Sequence, residues 1–326
     1  MALRIHFTAE DLARTTVALT PDPLWEVLLS VHLLGRRDAA LVFDGWRRQV
    51  RGRLTPHHQP LLGIAPPWGY SPDFLTPAGV PLGLEDGLAE VLSTPRRRLA
   101  IDLGRLAEER ALTANARRLA EGDATAMARL GDAVRDYYRV GLEPYWNQIE
   151  THIHAERARL ARVLLDGGVE RALTTLHPTT LWQSPVLTLL DHPADRDVHL
   201  EGRGLLLVPS FFCWGTPSTL RDHDLPQVVV YPVGRGLDWL GPAPRERRRS
   251  LEALIGRTRA TVLMELATRP GITTTDLARR TGISLASASE HVSVLREAGL
   301  AATDREGNTV HHAVTRMGLA LLDERA

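Results

Sequence analysis

The sequence predicts an α+β protein in two parts: a mainly helical N-terminal region carrying a small antiparallel sheet, then a smaller domain of short helices closed by a β-hairpin. Three observations predict it. A chain of 326 residues exceeds one average core and suits a larger and a smaller domain. Apolar residues recur at helical spacing through most of positions 1–178 and alternate in short runs over 179–233. Glycine and proline then crowd the stretch from Pro232 to Pro244, which reads as a linker, and helical periodicity resumes at Arg245. The expected domains are therefore 1–240, helical over 1–178 and β-rich over 179–233, and 245–326.

Leu3 to Phe7 reads as a short apolar strand, and Thr8, with Asp11 three positions later, has the form of a helix start. After Pro21 and Pro23, Leu24, Val27, Leu28, Val31 and Leu34 share one helical face, so a buried helix is expected. Thr55 to Pro81 breaks the pattern with recurrent proline and glycine and carries Trp68, Tyr70 and Phe74; it is expected to be a surface lid or a wrapping arm. Helical spacing returns from about Leu84 to Leu176, with joints expected at Gly104, Gly122 and Gly167–Gly168. The runs WQSPVLTLL, DVHLEG, RGLLLVPSFF and PQVVVYPV supply the strands of the expected antiparallel sheet.

Arg249 to Thr268 reads as one helix with Leu251, Leu254, Ile255, Val262, Leu263 and Leu266 on its apolar face. Thr274 or Thr275 is placed to cap a second helix, and Gly282 supplies the left-handed residue that turns the chain. Ser284 caps a third helix, LASASEHVSVLREA, ended by Gly299. Two helices across a short glycine-containing turn make a helix-turn-helix, whose second helix can enter a DNA major groove. Leu300 to Asp304 and Thr309 to Val314 alternate as strands around Arg305-Glu306-Gly307-Asn308, which predicts a wing, and Thr315 caps a last helix.

The segment TTTDLARRTGISLASASEHVSVLREAGLAATDREGNTVHHAVT, and within it His291 to Leu300 above all, resembles the winged-helix domain of the arsenical-resistance-repressor (ArsR) family over roughly the last 80 residues. The resemblance implies a dimeric transcription regulator with its third helix in the major groove and its wing over the neighbouring backbone. The upstream region is similar to the long sensor-like part of some members. Relatives that bind thiophilic metals carry cysteines at the start of the second helix, where this chain has Thr273-Thr274-Thr275-Asp276. Many relatives also place a cation where Glu290 and Ser293 stand.

On the third helix Ala288, Val292 and Leu295 form a core-facing stripe, leaving Ala286, Ser289, Glu290, Ser293 and Glu297 on the reading face with Ser287 at its edge. Serine can donate to phosphates or base edges, Glu290 can accept from a cytosine amino group, and Ala286 can touch a thymine methyl. The candidate DNA contacts are these residues with Thr275, Arg279, Arg280, Ser284, Arg305 and Asn308, and Arg296 behind them. Each exposed arginine reads equally as a solvated charge or a phosphate contact. Arg305 leads because a hairpin tip reaches past the groove edge. His291 reads as a partly buried structural residue, and Arg245, Arg247, Arg248 and Arg249 as a solvated helix entry that can also meet phosphate.

Composition narrows the classes. With 44% apolar and 24% charged residues the chain folds as an ordinary soluble protein. No apolar run is long enough to span a membrane and no secretory core opens the sequence, so no membrane partner and a cytoplasmic location are expected. The 39 cations, all arginine, balance 39 acids, which excludes a wholly basic nucleic-acid coat. The single Cys213, between Phe212 and Trp214, excludes disulfide and thiolate-cage frameworks and reads as a packed apolar residue. No metal site and no cofactor are expected: the neighbours His311 and His312 point to opposite faces of a strand, and His152 and His154 lie 200° apart on a helix, a spacing that follows from the roughly 100° per residue of helical geometry. Phosphate-loop, nucleophile-elbow, zinc-protease and dinucleotide motifs are missing, so no enzyme is expected, and nothing selects Asp44, Asp102, His57 or His58 as a site.

The function these features predict is a DNA-binding transcriptional regulator, a repressor acting as a homodimer on double-stranded DNA. The alternative is a protein-interaction module that docks a partner through the winged helix. Residues 1–240 are expected to dimerise and to hold a small-molecule effector, with Trp68, Tyr70, Phe74, Trp146, Trp182 and Phe211 as candidates for lining its pocket.

Overall fold

The structure, a computed structural model, describes residues 1–79, 83–235, 239, 245–306 and 309–322. It divides into two units, Met1–Arg36 with Val50–Val233, and Arg37–Gln49 with Gly234–Ala326. The first opens with β1 (Ala2–His6), α1 (Ala9–Ala13), β2 (Thr16–Val17) and α2 (Pro23–Gly35). The chain then enters α3 (Ala40–Arg51), most of which clusters with the second unit. The helical part continues with α4 (Gln59–Leu62), α5 (Leu84–Leu92), α6 (Arg96–Glu109), α7 (Ala114–Ala120), α8 (Ala124–Gly141) and α9 (Trp146–Thr174). Six strands follow: β3 (Thr180–Gln183), β4 (Val186–Leu190), β5 (Arg196–His199), β6 (Leu206–Ser210), β7 (Ser218–Thr219) and β8 (Val228–Pro232).

Local chemistry sets these boundaries. Thr8 and Asp11 form a reciprocal box, with Asp11 N–H 3.2 Å from the threonine hydroxyl and Thr8 N–H 2.8 Å from the carboxylate. Asp22 caps α2 by accepting from the N–H groups of Leu24 (2.9 Å) and Trp25 (3.1 Å). α2 is buried on nearly every side, and its Glu26 carboxylate accepts from the N–H groups of Phe211 (2.7 Å) and Phe212 (2.9 Å), tying the helix to the end of β6. At Gly168, in the expected joint, α9 departs from helical geometry with φ 71°.

The expected single antiparallel sheet is replaced by two mixed sheets of four strands, ordered β3-β4-β1-β5 and β2-β6-β8-β7. The N-terminal strands account for the difference. β1 inserts between β4, antiparallel, and β5, parallel, and β2 adds in parallel to β6. β6 and β8 are parallel too, because the chain between them is long enough for a crossover that lays β7 on the far side of β8. Leu3, Ile5, Leu187, Leu189, Val198, Leu207, Val229 and Tyr231 pack with Leu160 and Leu173 of α9 into one core.

The proline-rich segment is a wrapping arm. Tyr70, Phe74 and Leu75 are buried, and the arm is pinned through Phe74 N–H to Asp102 (2.9 Å) and through the Asp73 carboxylate, which accepts from Arg221 N–H (3.0 Å) and Asp222 N–H (2.8 Å). The Arg98 guanidinium sits among Asp73, Asp102 and Asp222. Val80 to Leu82 of this segment lie outside the described residues.

The second unit comprises α10 (Arg245–Ile255), α11 (Arg257–Thr268), β9 (Ile272–Thr273), α12 (Thr274–Thr281), α13 (Leu285–Glu297), β10 (Ala301–Glu306), β11 (Thr309–Val314) and α14 (Arg316–Leu322). The single helix expected over Arg249 to Thr268 is two, because Gly256 takes φ 84°. Leu254, expected on the apolar face, is 68% exposed, whereas Leu251, Val262, Leu263 and Leu266 are buried. α12 is capped by Thr273 rather than Thr274 or Thr275, its hydroxyl accepting from Asp276 N–H at 3.1 Å. Gly282 adopts the left-handed conformation, φ 68°, and Thr315 caps α14 by accepting from Gly318 N–H at 3.1 Å.

The unit also takes in a segment remote in sequence. Leu41 of α3 joins the apolar core of α11, α12 and α13. Phe43 meets Trp239 edge to face at 5.9 Å, the Arg235 guanidinium lies 5.2 Å from the Phe43 ring, and Trp239 Nε1 donates to the Val42 carbonyl at 2.8 Å. Arg235 N–H donates to the Thr268 carbonyl at 2.9 Å. Arg235 and Trp239, both within the segment read as a linker, are therefore buried packing residues; Gly236 to Asp238 and Leu240 to Pro244 lie outside the described residues.

Candidate nucleic-acid interface

α11, α12 and α13 pack around Leu263, Leu266, Leu277, Val292 and Leu295. The hairpin of β10 and β11 pairs antiparallel from Ala301↔Val314 to Glu306↔Thr309 and is joined by β9, a strand that the sequence did not suggest. The result is a helix-turn-helix with a wing.

α13 starts at Ser284, whose hydroxyl accepts from Ser287 N–H at 3.1 Å and donates to the Ser287 hydroxyl at 2.9 Å. Both serines thus serve the cap. Ala288, Val292 and Leu295 are buried, while Ala286, Ser289, Glu290 and Glu297 are exposed and Ser293 is half-buried, so the helix presents the expected polar face. Leu285 stands 55% exposed at its start. His291 is half-buried, with Nδ1 enclosed.

Thr275 is exposed in the first turn of α12. Arg279 reaches back to Asp276 at 2.6 Å, and Arg280 Nε binds the Glu265 carboxylate of α11, which also lies 3.3 Å from Arg269 Nε. Pairs this exposed contribute at most about 1 kcal/mol, so a phosphate can compete for either guanidinium. Arg296 and Arg305 are exposed. Asn308 lies outside the described residues, as do the side chains of Arg245, Arg247 and Arg248; Arg249 is exposed.

Sequence reasoning missed His312. It is buried on β11, with Nε2 2.8 Å from the Thr274 hydroxyl and Nδ1 3.0 Å from the Thr303 hydroxyl. Burial, helped by the neighbouring His311 and Arg296, pushes the imidazole below the usual histidine range, so it is neutral at pH 7. The alternation of β11 was the available signal, since it turns His312 to the face opposite His311, whose Nδ1 meets the Gly271 carbonyl at 3.0 Å.

The six aromatic residues proposed for an effector pocket have separate surroundings. Trp68 stacks beneath Arg36 at 4.0 Å, and Tyr70 and Phe74 lie in the pinned arm. Trp146 packs on Tyr138 and donates to Glu150, Trp182 meets Phe7, and Phe211 meets Phe212 and His152. A groove of about 420 Å³ lined by Gly83, Glu85, Arg135, Tyr138 and Glu143, among others, contains none of the six. Asp102, His58 and Asp44 likewise have different partners: Arg98, Asp136 and Arg47. Among the described residues Asp222, His223 and Asp224 bring ligand atoms within 4.8 Å, with Asp222 engaged by Arg98.

Residues 255–308 match the MarR family. The match covers all of α11, the helix-turn-helix and the rising strand of the wing, and supports a helix-turn-helix domain of the transcription-regulator kind; it does not extend to the ArsR subtype. No curated protein and no solved structure matches the chain. No helix among the described residues is long and apolar enough to cross a membrane.

Proposed function

We propose that this protein is a repressor that binds a palindromic operator as a homodimer, with the first unit holding a small-molecule effector. The observation that carries the DNA-binding part is the exposed polar face of α13, delivered beyond the Gly282 turn beside a wing bearing Arg305. A single α13 reads only a few base pairs, too few to select one site in a genome, so two copies related by a two-fold axis on half-sites one turn, ~34 Å, apart are the economical arrangement. The contacts belong to Ala286, Ser289, Glu290 and Ser293 in the groove and to Thr275, Arg279, Arg280 and Arg305 on the backbone. An effector acts only by favouring one placement of the two copies over another.

The test is a mobility-shift series on duplexes from the protein's own upstream region. Sequence-selective retardation that weakens steeply with salt is expected. Absence of selective retardation at low salt counts against the reading. Leu285, exposed at the entrance to α13, together with the internal pairing of Arg279 and Arg280 on α12, favours a second reading in which this domain docks a partner protein. Arg280→Ala with Arg305→Ala separates the two: DNA retention falls under the first and is unchanged under the second.

A further inference from the structure

The base of the wing is seated in the domain, with Leu300 and Ala301 in the apolar core and Val314 packed against it. Among the described residues two pairs, His311↔Thr273 and His312↔Ile272, link β11 to β9, with Gly271 N–H donating to the His312 carbonyl at 3.0 Å. Beyond this base the wing runs on as a two-stranded ribbon, which twists more readily than a wider sheet. The side chain of His312 adds a side-chain tie to that ladder. One ring nitrogen meets the hydroxyl of Thr274, the first residue of α12, and the other meets the hydroxyl of Thr303 on β10. A neutral imidazole offers one donor and one acceptor, and a hydroxyl can serve as either, so both bonds are satisfied in either tautomer. Thr303 and Arg305 stand two residues apart on one strand and so share a face of the hairpin. Thr274 precedes the exposed Thr275.

We propose that His312 is a positioning residue for DNA binding: its ring fixes the wing face that carries Arg305 against the start of α12, and so sets the spacing between the backbone contacts on either side of α13. This rests on the DNA-binding reading above. Without the ring, the hairpin turns on its base and Arg305 loses a defined place on the duplex. His312 thereby acts through Arg305 rather than on DNA.

A double-mutant cycle in the full chain tests this on the duplex that the wild type retains. Arg305→Ala is expected to weaken binding about tenfold and to reduce the slope of log affinity against log salt by about one for each copy bound. His312→Ala is expected to do the same, and the double variant to bind no more than twofold weaker than Arg305→Ala alone. His312→Gln, whose amide reaches the Nε2 position, is expected to recover part of the affinity. Titration to the stoichiometric end point gives the active fraction, so that a misfolded population is not counted as weak binding. Additive losses in the double variant, or a wild-type salt slope in His312→Ala, overturn the proposal. Wild-type protein that retains no duplex selectively overturns the DNA-binding reading itself, and the proposal with it.

Discussion

Replacing Phe43 by alanine should loosen the winged-helix unit, although about two hundred residues separate Phe43 from that unit's helices in the chain. Phe43 is fully buried, its ring meeting Trp239 at 5.9 Å and the Arg235 guanidinium at 5.2 Å. Truncating a buried phenylalanine removes its transfer free energy and leaves a cavity, which together destabilise by about 3–5 kcal/mol, and the lost cation–π contact adds up to about 2 kcal/mol. Arg235 in turn donates its N–H to Thr268 at the end of α11, so the loss is felt where the helix-turn-helix begins. The assay is native-state hydrogen exchange on the amides of Ala260 to Ala267, buried in the core of α11. An opening free energy lowered by about 3 kcal/mol speeds their exchange roughly a hundredfold. Leu88→Ala in α5, also fully buried, is the control and should leave those amides unchanged. If Phe43→Ala leaves α11 exchange at its wild-type rate while α2 loosens, then α3 does not belong to the winged-helix unit and the division of the chain described above is wrong.

Three further outcomes are expected. Burial lifts the Asp22 carboxyl from its ordinary 3.8 to about 6, against the lowering effect of the Trp25 and Leu24 N–H groups. Its folded value exceeds its unfolded one, so the native state holds the proton more tightly and stability falls as pH rises from about 4 to about 6. Asp22→Asn keeps the cap and removes that penalty, and urea unfolding should find it about 2–3 kcal/mol more stable than wild type at pH 7 and near equal at pH 4; a difference independent of pH would contradict the assignment. Gly282→Ala meets no neighbouring atoms and suffers only from its left-handed backbone, so thermal melts should show a loss of about 1–2 kcal/mol that Gly282→Asn partly restores. Ser284→Ala removes the cap of α13 and should lower stability by about 1 kcal/mol in the same melts; no change would mean that the first turn is held by other contacts.

The elements whose signals are local were legible in the amino-acid order. The Thr8–Asp11 box, the Gly282 turn, the Ser284 and Thr315 caps and the alternating strands of the wing all depend on residues within a few positions of one another. The face of α13 was legible for the same reason, since helical periodicity alone separates Ala288, Val292 and Leu295 from Ala286, Ser289 and Glu290. Boundaries that turn on a single backbone dihedral were less so: Gly256 could have continued a helix, and Thr273 competed with two more threonines for one cap.

Tertiary structure decided what depends on partners distant in the chain. The insertion of β1 between β4 and β5 turned an expected antiparallel sheet into a mixed one, because strand pairing is settled by which edge buries the most apolar surface. The enclosure of α3 with Trp239 and Arg235 depends on side-chain shape across nearly two hundred positions, which periodicity does not encode. Arg280 looked like one more surface cation until Glu265 came within reach, and His312 looked like half of a poor metal pair until two threonines closed on its ring. Sequence set the local geometry of α13; the fold alone set which groups hold the wing and the remote helix to the unit.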